Sequence, residues 1–71
     1  MNGQEDYGSP AESFARIAAL WSAYLGHPVS RKDVAVCMVL LKLAREATSH
    51  KRDNLLDAAG YIGIAADMVG Q

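Results

Sequence analysis

Apolar residues return every three or four positions near the start of the chain. Phe14, Ile17, Ala18, Trp21, Tyr24 and Leu25 fall on one broad face of a helix. The stretch "SPAE" opens it, with Ser9 as N-cap, proline at the first helical position and Glu12 three residues after the cap. Gly26 and Pro28 stop it, so the pattern predicts a helix over residues 10–25. A second start signal, Ser30 followed by Asp33, opens a helix over 31–48 whose first half, "VAVCMVLL", is apolar on every side. A helix of that kind is covered by protein all round, and two short neighbours cannot cover it fully. The third helix is expected over 53–69, starting near Arg52 or Asp53 and ending at Val69 before Gly70. Its inner face is read as Leu55, Ala59, Ile62, Ala66 and Val69. Gly60 and Gly63 within one turn imply close approach of another backbone or a ligand.

Residues 1–8, "MNGQEDYG", have no hydrophobic period and are read as a flexible arm, leaving 9–71 as a single helical domain. The fold class is therefore all-α, a three-helix bundle. With 71 residues it buries only roughly 60% of its unfolded surface and is marginal alone. Cys37 is the single cysteine, so neither an internal disulfide nor a zinc knuckle is available, and homo-oligomerisation is the remaining source of stability. The unspent apolar surface of the first two helices is expected to complete the bundle in an oligomer, most simply a dimer.

Composition narrows the classes further. Half of the residues are apolar (51%), too many for disorder, while the longest apolar run falls far short of a membrane span. There is no secretory signal pattern, and the lone thiol suits a reducing compartment, so a cytoplasmic location is expected. Net charge is −1 with acids and bases interspersed, which disfavours nucleic acid as a partner.

The chemistry concentrates in "SHKRDNLLDAAGY", residues 49–61, together with Lys42 and Arg45 on the preceding helix. One reading is structural: Asp53 favours the positive end of the third helix, and Asp57 pairs with Lys42 or Arg45 across the helix seam. The other is a ligand site. Lys42, Arg45, His50, Lys51 and Arg52 surround the mouth between the second and third helices, with Asp53 and Asp57 below and Tyr61 as a stacking plane. Cations and the helix N–H groups would grip a phosphate, while a carboxylate takes a base or a ribose hydroxyl. No cofactor is expected. Trp21 and Tyr24 read as core or interface, Cys37 as a small buried hydrophobe and His27 as a surface residue of a turn. Phosphate loops, nucleophile elbows and HExxH are absent from the sequence.

The stretches "YGSPAESFARIAALW", "DVA", "KLAR" and "HKRDNLLDAAGY" together resemble a family of small phage and prophage proteins of unknown function. The shared pattern is YGxPxxxFxxIAxLW, then DVA, KxAR and HKxDNxxDxxGY, and it extends from Tyr7 to Met68. The resemblance implies an all-helical protein acting in the cytoplasm of a bacterial host. It also leads us to expect relatives with a further amino-terminal helix that this sequence lacks. More loosely, a lysine-arginine helix followed by an aspartate helix is similar to MazG-like and nucleotide-modification-associated phage proteins. That likeness implies, as an alternative, a magnesium-dependent nucleotide pyrophosphohydrolase using Asp53 and Asp57 as metal ligands. Such hydrolases carry ExxE on one helix, a motif this chain does not have, so enzymatic activity is the less favoured branch. The preferred expectation is binding of a nucleotide or related phosphorylated small molecule without turnover, in sequestration or counter-defence. A purely structural or protein-interaction oligomer is the second alternative.

Overall fold

The computed structural model describes residues 9–68, which form helices α1 (Pro10–Leu25), α2 (Arg31–Thr48) and α3 (Arg52–Asp67). The all-α, three-helix reading holds, with helix bounds within a residue or two of those predicted. The proposed arm at 1–8, Val69 and the helix end before Gly70 lie outside the described residues. Among the described residues no helix is long and apolar enough to cross a membrane.

Local chemistry sets the boundaries. Ser9 accepts the Glu12 N–H at 3.2 Å, with Pro10 following at the first helical position. Ser30 and Asp33 form a reciprocal box: the Asp33 N–H donates to Ser30 Oγ at 3.0 Å, and the Ser30 N–H donates to Asp33 Oδ2 at 2.9 Å. The Ser30 N–H, helped by the Ser30 hydroxyl, holds the Asp33 carboxyl below its ordinary range. Between α1 and α2, Gly26 takes the left-handed conformation (φ 76°) that only glycine adopts cheaply and donates back to the Ser22 carbonyl at 2.9 Å. The Ser22 hydroxyl then accepts the Val29 N–H at 2.8 Å, tying the far side of the turn to α1.

The core gathers Phe14 and Ala18 from α1, Val34 and Ala35 from α2, and Met68 at the end of α3. Ile17, Trp21, Met38, Tyr61, Ile64 and Ala65 pack around it. The Phe14 and Tyr61 rings stack with centroids 6.0 Å apart, fixing the rotation of α3 against α1. α2 and α3 are joined by three residues and run antiparallel, with Lys42 bonded to Asp57 across the seam.

Several expected inner positions lie outside. α3 turns inward through Asn54, Ala58, Tyr61, Ala65 and Met68, while Leu55, Ala59, Ile62 and Ala66 are exposed. The helix is apolar on most of its circumference, so periodicity does not choose among faces; the Phe14–Tyr61 stack and the Lys42–Asp57 bond do. Tyr24 is 90% exposed because it sits about 80° away from Phe14 on the helical wheel, and Leu25 lies past the last packed turn. Cys37 is exposed rather than a buried hydrophobe, since α1 and α3 cover only the Val34, Ala35 and Met38 side of α2. Finally, a Cβ placed on Gly60 or Gly63 would meet nothing within 4 Å, so the close approach inferred from these glycines does not occur among the described residues.

Candidate functional site

An open groove of about 610 Å³ lies at the end of the α2–α3 hairpin. From α2 it takes Lys42, Ala44, Arg45 and Thr48; Ser49 and Lys51 of the loop and Asp53, Asn54 and Asp57 of α3 complete it. Five of the eight predicted site residues thus come together: Lys42, Arg45, Lys51, Asp53 and Asp57. The antiparallel turn explains this, because it brings the last turn of α2 beside the first two turns of α3.

The other three predicted residues lie elsewhere. Arg52 is exposed on the first turn of α3, outside the groove lining. The His50 imidazole turns back along α2 to bond the Glu46 carboxylate one helical turn earlier. Tyr61 gives one ring face to Phe14 in the core, and with Leu56, Asp57, Gly60 and Ile64 it also lines a separate depression of about 280 Å³. Asp57 is common to both cavities.

Within the groove the charges are unevenly solvated. Lys42 Nζ donates to Asp57 Oδ2 at 2.9 Å, with the lysine side chain 15% exposed and the aspartate 49%. The pairing of Asp57 with a cation of α2, expected from the sequence, is thus present, made by Lys42 rather than Arg45 and with the aspartate half-exposed. The desolvated member is Lys42, whose stem lies in the helix seam while the shorter carboxylate reaches out to water. Arg45, Lys51 and Asp53 are exposed. Lys51 occupies the N-cap of α3 and provides no side-chain cap, and the Asn54 N–H returns to the Lys51 carbonyl at 2.9 Å, so the positive end of a sixteen-residue helix lies beside the groove's cations. That combination favours an anion on electrostatic and hydrogen-bonding grounds alike. Among the described residues no three His, Cys, Asp or Glu side chains are grouped to hold a metal ion.

Residues 1–69 match a sequence family described as "Domain of unknown function (DUF6378)". The chain belongs to the DUF6378 family. It is 44% identical over 72 aligned positions to the Gene 55 protein of Mycobacterium phage L5, an alignment covering 96% of this chain and 46% of that protein. It is 47% identical over 60 positions to the Gene 55 protein of Mycobacterium phage D29, covering 83% of this chain and 40% of that protein. This DUF6378 chain therefore spans less than half the length of the curated relatives it matches. No solved structure matches it significantly. The phage protein family inferred from the residue pattern is the one found; a MazG-like relationship is not among these matches.

Two residues that organise the DUF6378 groove escape a reading based on charge clusters. Glu46, half-buried, accepts the Lys51 N–H at 3.0 Å and also bonds His50. Its bond to Lys51 is to the N-cap N–H, the one that an N3 carboxylate takes in a capping box, and it ties the loop before α3 to α2 while leaving the N2 and N3 positions without a side-chain cap. Asn54 is 8% exposed, the buried polar residue at the seam. A signal for Glu46 existed in its four-residue spacing to His50, combined with a lysine where a cap is normally Ser, Thr, Asp or Asn.

The hydrogen bond from His50, reinforced by the Lys51 N–H, lowers the Glu46 carboxyl below its ordinary value of 4.5. A carboxyl depressed by folding adds stability above its unfolded pKa, and that contribution is lost as pH falls through the folded value. Melting temperature should therefore fall as pH drops below about 4.5, and Glu46→Gln should flatten that acid limb while lowering stability at neutral pH. Melting curves from pH 3 to pH 7 on both proteins check this; parallel acid limbs would refute it.

Proposed function

We propose that this DUF6378 chain binds a nucleotide or related phosphorylated small molecule in the α2–α3 groove without turning it over, in the service of a phage inside its bacterial host. The supporting observation is the meeting of Lys42, Arg45 and Lys51 with the uncapped start of α3 around one cavity of about 610 Å³. That volume lies within the range of small-molecule sites, roughly 300–1,000 Å³. Phosphate oxygens would take the α3 N–H groups and the exposed Arg45 and Lys51. The Thr48 and Ser49 hydroxyls and the Asp53 carboxylate supply the polar partners that sugar hydroxyls or base edges require. Lys42 is already bonded to Asp57, so its share in anion binding comes at the expense of that pair.

A second reading, MazG-like pyrophosphohydrolysis, draws on Asp53 and Asp57 lining the same groove. It requires magnesium on those carboxylates and further ligands from outside the described chain.

Thermal-shift screening against nucleoside mono-, di- and triphosphates, cyclic dinucleotides and ADP-ribose, with and without magnesium, tests both. A ligand at a hundred times its Kd adds about 2.7 kcal/mol, a rise of roughly 10–20 °C for a domain of this size. Arg45→Ala and Lys51→Ala should remove most of the shift and Arg52→Ala little of it. Chromatography of the hit distinguishes intact ligand from hydrolysed product. No shift from any compound would leave the cluster as an ion-paired helix seam.

A further inference from the structure

The exposed positions of α2 and α3 form a pattern that the groove does not use. Val36, Leu40, Leu43 and Ala47 follow one another at spacings of four, three and four on α2, with Val36 42%, Leu40 59% and Leu43 46% exposed. α3 repeats the same spacing in Leu55, Ala59, Ile62 and Ala66, with Leu55 46% and Ile62 56% exposed. At about 100° per residue each set is a narrow stripe, turned roughly 100° in the same sense from the seam that joins the two helices. Because α2 and α3 are antiparallel, equal turns in the same sense bring both stripes to the same side of the hairpin. α1 packs through Phe14 and Ala18 against the other side.

The hairpin therefore has one apolar face covered by α1 and a second face with no partner among the described residues. We infer that the second face is the contact for another copy of the same chain, pairing two α2–α3 hairpins about a two-fold axis into a four-helix core, with the two α1 helices outside. A self-complementary apolar patch of equal stripes suits an isologous contact. Ala59 and Gly63, the latter with open space around its missing Cβ, allow a facing helix to come close. No charged residue interrupts either stripe; Arg52 sits at one end and Lys32 and Asp33 near the other, so an antiparallel two-fold pairing brings Arg52 of each copy to the rim that carries the other copy's Asp33. The inference does not depend on what the groove binds.

Sedimentation equilibrium between 1 and 200 µM tests it. The expected mass is twice the chain's 7.6 kDa, with a melting temperature that rises with concentration. Leu40→Glu and Ile62→Glu should each give a helical monomer or weaken association at least a hundredfold. Leu20→Glu, on an α1 residue that is 65% exposed, should leave the dimer unchanged. If the glutamate variants fail to fold, Leu40→Ala and Ile62→Ala serve instead, with an expected tenfold or greater rise in the dissociation constant and none for Leu20→Ala. A wild-type monomer across the range overturns the inference. So does an oligomer that Leu20→Glu dissolves while Leu40→Glu and Ile62→Glu do not.

Discussion

Phe14→Ala should lower the melting temperature by at least about 15 °C. The ring is 7% exposed, belongs to the central cluster and stacks on Tyr61 at 6.0 Å, so its loss removes both buried apolar area and the contact that orients α3. Truncating a buried phenylalanine costs about 3–5 kcal/mol through lost transfer free energy and the cavity left behind. At roughly 0.05–0.15 kcal/mol per residue, a chain of 71 residues has a total stability of only about 4–10 kcal/mol. Each kcal/mol shifts the midpoint by about 4–8 °C in domains of this size. Phe14→Leu, which keeps most of the volume, should cost under about 1.5 kcal/mol. Thermal denaturation followed by circular dichroism at fixed protein concentration reads both variants. A Phe14→Ala midpoint within 5 °C of wild type would mean that the Phe14–Tyr61 stack does not hold α3 in place. Because α3 contributes one wall of the groove, the same variant should also blunt any ligand-induced shift.

Asp57→Asn should be the next most damaging of the changes considered, costing about 1–2 kcal/mol, and Lys42→Met should cost less. The asymmetry follows from solvation. Removing the Asp57 charge strands a lysine ammonium that is only 15% exposed, whereas removing Lys42 frees a carboxylate that is 49% exposed and readily hydrated. An exposed ion pair is worth at most about 1 kcal/mol and breaking a fully buried one from one side costs about 3–5, so a pair with one desolvated member falls between. Asparagine keeps the side-chain shape, and its helix propensity is close to that of aspartate, which isolates the charge. Urea titrations of wild type, both single variants and the double variant close a cycle whose coupling term is the pair's own contribution. Equal losses from the two single variants would contradict the solvation argument. A midpoint for Asp57→Asn indistinguishable from wild type would show that the pair does not fasten the seam.

The sequence by itself determined three helices, their caps and the turn between the first two. These depend on residues within a few positions of one another, such as Ser9 with Glu12, Ser30 with Asp33 and glycine at 26. It also determined that charge would gather where α2 turns into α3, because a three-residue loop forces Lys42 and Arg45 alongside Asp53 and Asp57. Tertiary structure decided the rotation of each helix about its own axis. α3 is apolar on nearly every side, and several stripes satisfy a helical period equally well. Leu55, Ala59, Ile62 and Ala66 read as core, yet Asn54, Ala58, Tyr61 and Met68 occupy it, because a ring stack and an ion pair with other helices select the face. That same rotation moved Tyr61 out of the groove and buried Asn54 at the seam, a long-range choice that no local spacing encodes.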